Sequence, residues 1–302
     1  MVASKWLSSA AVLLLAWPAQ MSAGDAEKKT ISLSGLLELD AARTSSVPSR
    51  FPGEIVAFGG PGKGAFWRVG DKIHKGDLLA VVWSKDLAMQ KGALADALAE
   101  REFEKPRLAR MEALVRDGVA PMAAFEDARR ALDKAVRAVA TAERNLRLSR
   151  FTDAEIAAFV KEAAEGRRDP KKEQEWARLE IRAPQDGVIL ERRVALGEIV
   201  GADFGPLFRV GDLRTLVAVV AWPERDLLLL ERLKPEERIW DVRPSGDSGA
   251  NPVRGKIERM APMIDPQKGT VAVQGAIDNE DGRFRPGQSV VVTVVLPRRK
   301  AD

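Results

Sequence analysis

The clearest pattern of apolar and polar positions lies between Asp86 and Arg150, and it predicts two long helices. In the second half of this stretch, large apolar residues recur every seven positions, and alanines recur at the same interval three positions after them. This spacing is typical of a coiled-coil seam. The seam is formed by Phe125, Leu132, Val139 and Leu146, with Ala128, Ala135 and Ala142 between them.

The stretch before it contains a less regular apolar series and predicts the antiparallel partner helix. Gly118 can adopt the left-handed conformation that ends a helix, and Pro121 suits the first turn of the next. Two helices of about 30 residues at 1.5 Å per residue form a rod of roughly 45 Å. Pro106 removes one backbone hydrogen bond at a cost of about 3 kcal/mol, so we expect a kink or break near Lys105 that would divide the rod.

Short strand patterns with glycine turns flank the rod on both sides. Pro52-Gly-Glu-Ile-Val56 is echoed by Asp186-Gly-Val-Ile189, and Val69-Gly-Asp-Lys-Ile73 by Leu196-Gly-Glu-Ile-Val200. This quasi-repeat predicts that residues 51–84 and 176–211 close into one small β-sandwich, from which the hairpin of residues 85–150 projects. Residues 151–175 read as a short helix with a Thr152/Glu155 capping box, then a charged loop.

The last third of the chain, residues 212–297, predicts a small β-barrel of several short strands and one helix, Pro223 to Leu233. Residues 24–50 form a linker and a strand that joins the barrel or a membrane-proximal region, and residues 298–302 form a tail. Residues 1–23 are typical of a signal peptide, with a basic start, an apolar run too short for the roughly 20 residues of a membrane span, and cleavage near Ala23. Retention as an anchor is the alternative.

Composition narrows the possible chemistry. The chain has no cysteine, which excludes disulfides, thiolate metal sites and a lipid anchor on cysteine. Its 48 basic residues are interspersed with 44 acidic ones, which favours a solvated surface over a nucleic-acid groove. The only histidine is His74, expected to be exposed, and no catalytic constellation appears. The glycine-rich loop at 59–64 lacks phosphate-loop spacing. We expect no enzyme activity and no cofactor.

Several short motifs occur in a fixed order around the hairpin. They are Gly70-Asp71 and Gly76-Asp77, then Arg182-Ala-Pro-Gln-Asp-Gly-Val188, and at the far end Asn279-Glu-Asp-Gly-Arg-Phe-Arg-Pro-Gly287. Together, over about residues 30 to 296, they resemble the periplasmic adaptor (membrane fusion protein) family of tripartite efflux pumps, and most of all its heavy-metal, RND branch. The resemblance implies a mixed α and β, elongated fold: a long α-helical hairpin inserted in a split lipoyl-like β-sandwich, plus a small β-barrel.

The resemblance also implies a function and partners. A periplasmic adaptor bridges an inner-membrane transporter, here of the RND type, and an outer-membrane channel protein, and it assembles as a homo-oligomeric ring (trimer or hexamer). An adaptor of an ATP-driven (ABC) exporter or a type I secretion system is the alternative. Because the chain ends soon after the barrel, we expect the family's further membrane-proximal domain to be absent or vestigial.

The family's docking motif, Arg-x3-Leu-x6-Ser, assigns the hairpin tip to the outer-membrane channel. Arg110 and Leu114 match its spacing, Pro121 stands where the serine is expected, and Gly118 lies in the turn. An arginine fork and one apolar knob would carry the specificity of such a contact. The alternative is that Leu114 belongs to the seam and Arg110 to a solvated face.

The sequence disfavours two further kinds of site, a carrier lysine and a metal site. A lipoyl-like carrier presents a lysine at a β-turn, but that position falls on Asp86, and Lys85 is one place away where a helix begins. Met260 and Met263 are soft ligands of the kind that Cu(I) or Ag(I) prefers. Without a third soft ligand nearby, they are expected to be barrel core, and no metal site is expected.

Overall fold

The computed structural model describes residues 28–62, 64–165, 174–201, 203–247 and 249–297. The predicted signal peptide, the tail and most of the charged loop lie outside these ranges. The strands are β1 (Lys28–Leu39), β2 (Thr44–Pro48), β3 (Gly53–Phe58), β4 (Lys72–Ile73), β5 (Leu78–Trp83), β6 (Arg178–Arg182), β7 (Gly187–Arg192), β8 (Ile199–Val200), β9 (Pro206–Gly211), β10 (Thr215–Pro223), β11 (Ile239–Pro244), β12 (Val253–Asp265), β13 (Thr270–Asp278) and β14 (Ser289–Pro297). The helices are α1 (Lys85–Arg116), α2 (Met122–Leu148), α3 (Asp153–Glu165) and α4 (Leu227–Glu231).

The described chain divides into two compact units. The first contains residues through 37, 218–278 and those from 287 onward, and the second contains residues 38–217 and 279–286. No helix among the described residues is long and apolar enough to cross a membrane.

The first unit is built on a closed six-stranded barrel in the order β1-β10-β13-β12-β11-β14. It confirms the predicted small barrel. The N-terminal strand that was expected to join the barrel or a membrane-proximal region is β1, which pairs antiparallel with β14. Every second residue of β10 points into the core. The predicted helix Pro223–Leu233 is wrong in extent, because Trp222 continues the barrel strand and only Leu227–Glu231 is α-helical.

Two four-stranded sheets of the second unit share one core. Their orders are β2-β9-β7-β4 and β6-β5-β3-β8, so each sheet combines strands from both sides of the helical stretch. Ile55 and Leu79 of one sheet and Ile189 and Phe208 of the other belong to the same cluster of buried side chains. Strand β6 alternates between this core and solvent, whereas four consecutive residues of β5 are buried.

Helices α1 and α2 pack along each other, and most of the predicted seam of α2 is buried, while Phe125 and Leu132 are half-buried. Ala128, Ala135, Val139 and Leu146 are at most 5% exposed. At the base, helix α3 covers one side of the pair. Its Ile156 and Phe159 belong to the same buried cluster as five residues of α1 and α2: Leu94, Leu98, Val139, Ala142 and Leu146. Thr152 and Glu155 form the predicted capping box at its start.

Lys91 lies where α3 covers α1. Its ammonium is 5.5 Å from the ring centroid of Phe159. Burial lowers the pKa of Lys91, and the negative charge of Glu162 opposes that shift. This side chain therefore marks the flank of α1 that faces α3.

The predicted break at Pro106 is wrong, because α1 is one continuous helix of 32 residues with the proline inside it. Pro106 lies on the exposed side, where water can satisfy the carbonyl of Glu102 that the ring leaves without a donor. Packing against α2 on both sides of this point holds the helix together. Glu104, nearby in the seam, is 3% exposed and its carboxylate pairs with Arg107 at 3.0 Å.

Ser84 caps the start of α1, and its removal gives the first prediction. The buried hydroxyl oxygen accepts the Leu87 N–H at 3.3 Å. We expect Ser84→Ala to lower the free energy of unfolding by about 1 kcal/mol, because that N–H loses its acceptor. Urea unfolding of the full chain measures the change. Ser46→Ala, an exposed serine in the same unit, is the control, and equal midpoints for the two variants would contradict the capping role.

Candidate functional site at the hairpin tip

The turn between α1 and α2 is closed by backbone hydrogen bonds. Gly118 has φ +71°, which is the left-handed conformation predicted for it. The Val119 N–H donates to the Leu114 carbonyl at 2.8 Å, and the Gly118 N–H donates to the Val115 carbonyl at 3.0 Å. This pair of bonds is the Schellman closure, which satisfies the last carbonyls of a helix and fixes the direction of the chain leaving it.

Pro121 differs from its predicted place by one residue. It is the N-cap of α2, with φ −73° and ψ 151°, and the helix begins at Met122. Its carbonyl accepts the Ala124 N–H at 3.0 Å, so the residue already closes the first turn while its own backbone stays extended. It offers no side-chain hydrogen bond to the helix start.

The four predicted tip residues lie in the turn and the last two helical turns of α1 before it, with Arg110 about 12 Å below Gly118. Arg110, Gly118 and Pro121 are exposed, and Leu114 is half-buried one helical turn beyond Arg110. Within the described residues, Arg110 forms no ion pair. Leu114 contributes its backbone carbonyl to the turn, while part of its side chain stays accessible.

Two exposed apolar residues at the tip were missed from the sequence. Val119 is 72% exposed and Met122 is 59% exposed. In a Schellman closure the residue at the position of Val119 frequently packs on the preceding helix turn, and here it faces solvent. The sequence feature that could have revealed them is the pair of apolar residues on either side of Ala120-Pro121, in a short turn between two helices where no core is available to bury them.

The tip carries little fixed charge of its own. Arg116 and Asp117 are 3.8 Å apart with side chains 76% and 65% exposed. Such a surface pair contributes little to stability and is screened by salt. The tip thus offers a rigid backbone turn, two apolar side chains and one free guanidinium.

The other predicted residues lie away from the tip. His74 is exposed as expected, with 85% of its side chain accessible. Met263 is 79% exposed, so its prediction as barrel core is wrong. The ladder between β12 and β13 shifts register between Met260 and Ile264, which turns Met263 out of the barrel. Among the described residues, no cluster of three or more His, Asp or Glu side chains lies close enough to hold a metal ion.

Comparison with known proteins gives the family. The family model described as "CzcB-like, barrel-sandwich hybrid domain" matches residues 59–212, which include the whole hairpin and every strand of the two sheets except β2 and β3. The chain belongs to the CzcB-like family. The match confirms the resemblance to membrane fusion proteins of the heavy-metal-efflux branch.

Two curated relatives show how far the sequence similarity extends. The cobalt-zinc-cadmium resistance protein CzcB of Cupriavidus metallidurans is 24% identical over 274 residues, which cover 90% of this chain and 46% of that protein. The multidrug resistance protein MdtA of Salmonella typhimurium is 22% identical over 279 residues, covering 90% of this chain and 60% of that protein. This CzcB-like chain spans about half the length of the curated relatives it matches.

Solved structures share the fold. ZneB from Cupriavidus metallidurans matches with a TM-score of 0.57 at 23% identity, over 89% of this chain and 99% of that one. A MacA-MexA chimera carrying the Pseudomonas aeruginosa MexA α-hairpin domain matches with a TM-score of 0.58 at 19% identity, over 90% of this chain and 83% of that one.

Proposed function

We propose that this CzcB-like chain is a non-enzymatic periplasmic adaptor of a tripartite efflux system. It links an inner-membrane transporter of the RND type to an outer-membrane channel protein, and several copies assemble into a ring. Membership of the heavy-metal-efflux branch supports the RND partner, and an ATP-driven exporter is the alternative. Its β-sandwich is of the lipoyl-like kind without carrier function, because Asp86 occupies the modified-lysine position.

The observation that carries the proposal is the form of the hairpin end. Two helices of 32 and 27 residues hold a turn far from any core of the second unit. At that turn Val119 and Met122 expose apolar surface, and Arg110 has a free guanidinium. Methionine and arginine are among the residues enriched at protein interfaces, which supports a contact with another protein at this end.

Photo-crosslinking from position 119 in intact cells tests this function. We expect a crosslink to an outer-membrane protein identified by mass spectrometry, and none from position 144, which is exposed about 36 Å nearer the base of the rod. The double variant Val119→Ser, Met122→Ser should reduce capture from position 114 about tenfold, because the contact loses its apolar centre. Capture of other copies alone, or equal capture from positions 119 and 144, would refute docking at the tip.

A further inference from the structure

A cavity of about 440 Å³ lies at the base of the hairpin beside helix α3, where two buried clusters of the second unit meet. Leu87 and Leu179 line it from the core of the β-sandwich, and Ile156 and Phe159 line it from the cluster under α3. The side chain of Phe151 packs against both clusters. A cavity of this size with apolar walls has the dimensions of a small-molecule site.

Lys91 of α1 brings an unpaired amine to this cavity. Within the described residues its ammonium forms neither an ion pair nor a hydrogen bond, and it lies 5.5 Å from the centroid of the Phe159 ring. The other cationic side chains of the lining each have a carboxylate partner: Arg50 pairs with Glu155 at 3.5 Å, Arg178 with Glu175 at 3.2 Å and Arg182 with Glu180 at 2.6 Å. Lys91 is therefore the cation of this lining that is free to act on a ligand.

Burial and charge decide which ligand suits Lys91. Burial lowers the pKa of Lys91, so more of its side chain is an uncharged amine at a given pH than in an exposed lysine. An uncharged amine in an apolar pocket is the form in which lysine acts as a nucleophile. The carboxylates of Glu162 and Glu155 on α3 and of Glu180 on β6 oppose the shift.

Those carboxylates also select against anions. The carboxylate of Glu162, which has the strongest charge effect on Lys91, is held in place by the Trp176 indole N–H at 3.3 Å. Negative charges around the amine repel a carboxylate or a phosphate, and the apolar walls offer such a ligand no hydrogen bond. The cavity therefore favours an uncharged electrophile with an apolar body.

We propose that Lys91 and this cavity form a reversible covalent site for a small, uncharged aldehyde with an apolar body. The lone pair of Nζ attacks the carbonyl carbon and forms a C–N bond, and the proton that nitrogen loses is taken up by the carbonyl oxygen. The resulting carbinolamine loses its hydroxyl group and the second nitrogen proton as water, which leaves a C=N bond. One aldehyde and one amine thus give one imine and one water, without an oxidant or a reductant. The apolar body lies against the ring of Phe159.

Reductive trapping on the purified full chain tests the site. Benzaldehyde is added with sodium cyanoborohydride, which reduces the C=N bond to a stable secondary amine, and the labelled lysines are identified by digestion and mass spectrometry. Lys91 should be labelled about tenfold faster than Lys85, an exposed lysine of the same helix, since burial of a phenyl ring contributes an affinity of this order. Benzyl alcohol, which has the ring but no carbonyl group, should slow labelling of Lys91 and leave Lys85 unchanged. Glyoxylate, an anionic aldehyde, should label Lys91 no faster than Lys85.

Two neighbouring alanines of α3 give matched variants. Both are exposed, but Ala158 lines the cavity and Ala157 lies outside it. Ala158→Trp should fill the cavity and slow the labelling of Lys91 to about the rate of Lys85, whereas Ala157→Trp should leave it unchanged. Lys91→Arg should remove the fast addition from the intact mass.

Three results would overturn the proposal. They are equal labelling rates for Lys91 and Lys85, no protection of Lys91 by benzyl alcohol, and equal labelling of Lys91 in the two tryptophan variants. The site does not depend on the adaptor function proposed above, so loss of channel capture from position 119 would leave it standing.

Discussion

Gly275→Ala is expected to lower the free energy of unfolding of the barrel by about 3 kcal/mol or more. A β-carbon at Gly275 would lie 2.1 Å from the Lys256 carbonyl oxygen and 2.6 Å from Cζ2 of Trp240. The carbonyl belongs to the paired strand β12, and the indole is only 1% exposed. Neither group can withdraw without breaking the ladder or moving the packed core.

Gly255 supports the other edge of the same ring. A β-carbon there would lie 2.5 Å from Nε1 of Trp240 and 2.7 Å from the Ala276 carbonyl oxygen. The indole thus lies over two glycines on the neighbouring strands β12 and β13. Small residues at both places are what allow a six-stranded barrel, which has a narrow interior, to enclose so large a side chain.

Urea unfolding of the full chain, followed by near-ultraviolet circular dichroism, measures the effect of Gly275→Ala. The matched control is Gly246→Ala in the same unit, where a β-carbon would meet nothing within 4 Å. The control should change stability by less than about 0.5 kcal/mol. If both variants unfold at the same urea concentration, the absence of a side chain at Gly275 beneath Trp240 has no structural role.

Local patterns predicted the features that depend on local geometry. The seven-residue repeat from Phe125 to Leu146 identified the seam, because a buried helix face needs that period wherever its partner lies. Gly118 was identified as a helix end, because a left-handed residue is a local backbone requirement. Thr152 and Glu155 were identified as a capping box for the same reason.

Other features depend on contacts distant in sequence, and local rules missed them. Pro106 carries a local penalty, but the packing of α1 on α2 decided that the helix continues. The exposure of Met263 follows from a shift in pairing between two strands that no repeat in the sequence marks. At the tip, Val119 and Met122 look like ordinary turn neighbours, and their exposure follows from the direction in which the closed turn points them.

Asn279 holds the segment 279–286 in the second unit and gives the other large expected effect. Its side-chain amide donates to the carbonyls of Leu213 at 2.8 Å and Phe284 at 3.1 Å, and its oxygen accepts the Phe284 N–H at 2.8 Å. The residue is 3% exposed, and Phe284 is 2% exposed. Both hydrogens and the oxygen of the amide are therefore used in a place that water does not reach.

Asn279→Leu should lower the free energy of unfolding by about 3 kcal/mol, because it leaves a buried N–H and buried carbonyls without partners. Asn279→Asp should cost a similar amount at pH 7, because an ionised carboxylate would face two carbonyl oxygens. Protonated, the same side chain can donate to one of them. Its pKa in the folded chain should therefore rise above the ordinary value of about 3.9.

The sign of this shift separates the two variants. A carboxyl whose pKa is higher in the folded state than in the unfolded state contributes most to stability at pH values below its unfolded-state pKa. This contribution is lost as the pH rises through the folded-state pKa. In urea unfolding, the free energy of unfolding of Asn279→Asp should therefore be close to that of the unsubstituted chain at about pH 4, near the ordinary pKa of the carboxyl. At about pH 7 it should be well below that of the unsubstituted chain. Asn279→Leu has no titrating group, so its deficit relative to the unsubstituted chain should be the same at both pH values. A deficit of Asn279→Asp that does not grow with pH would show that the two carbonyls do not control this site.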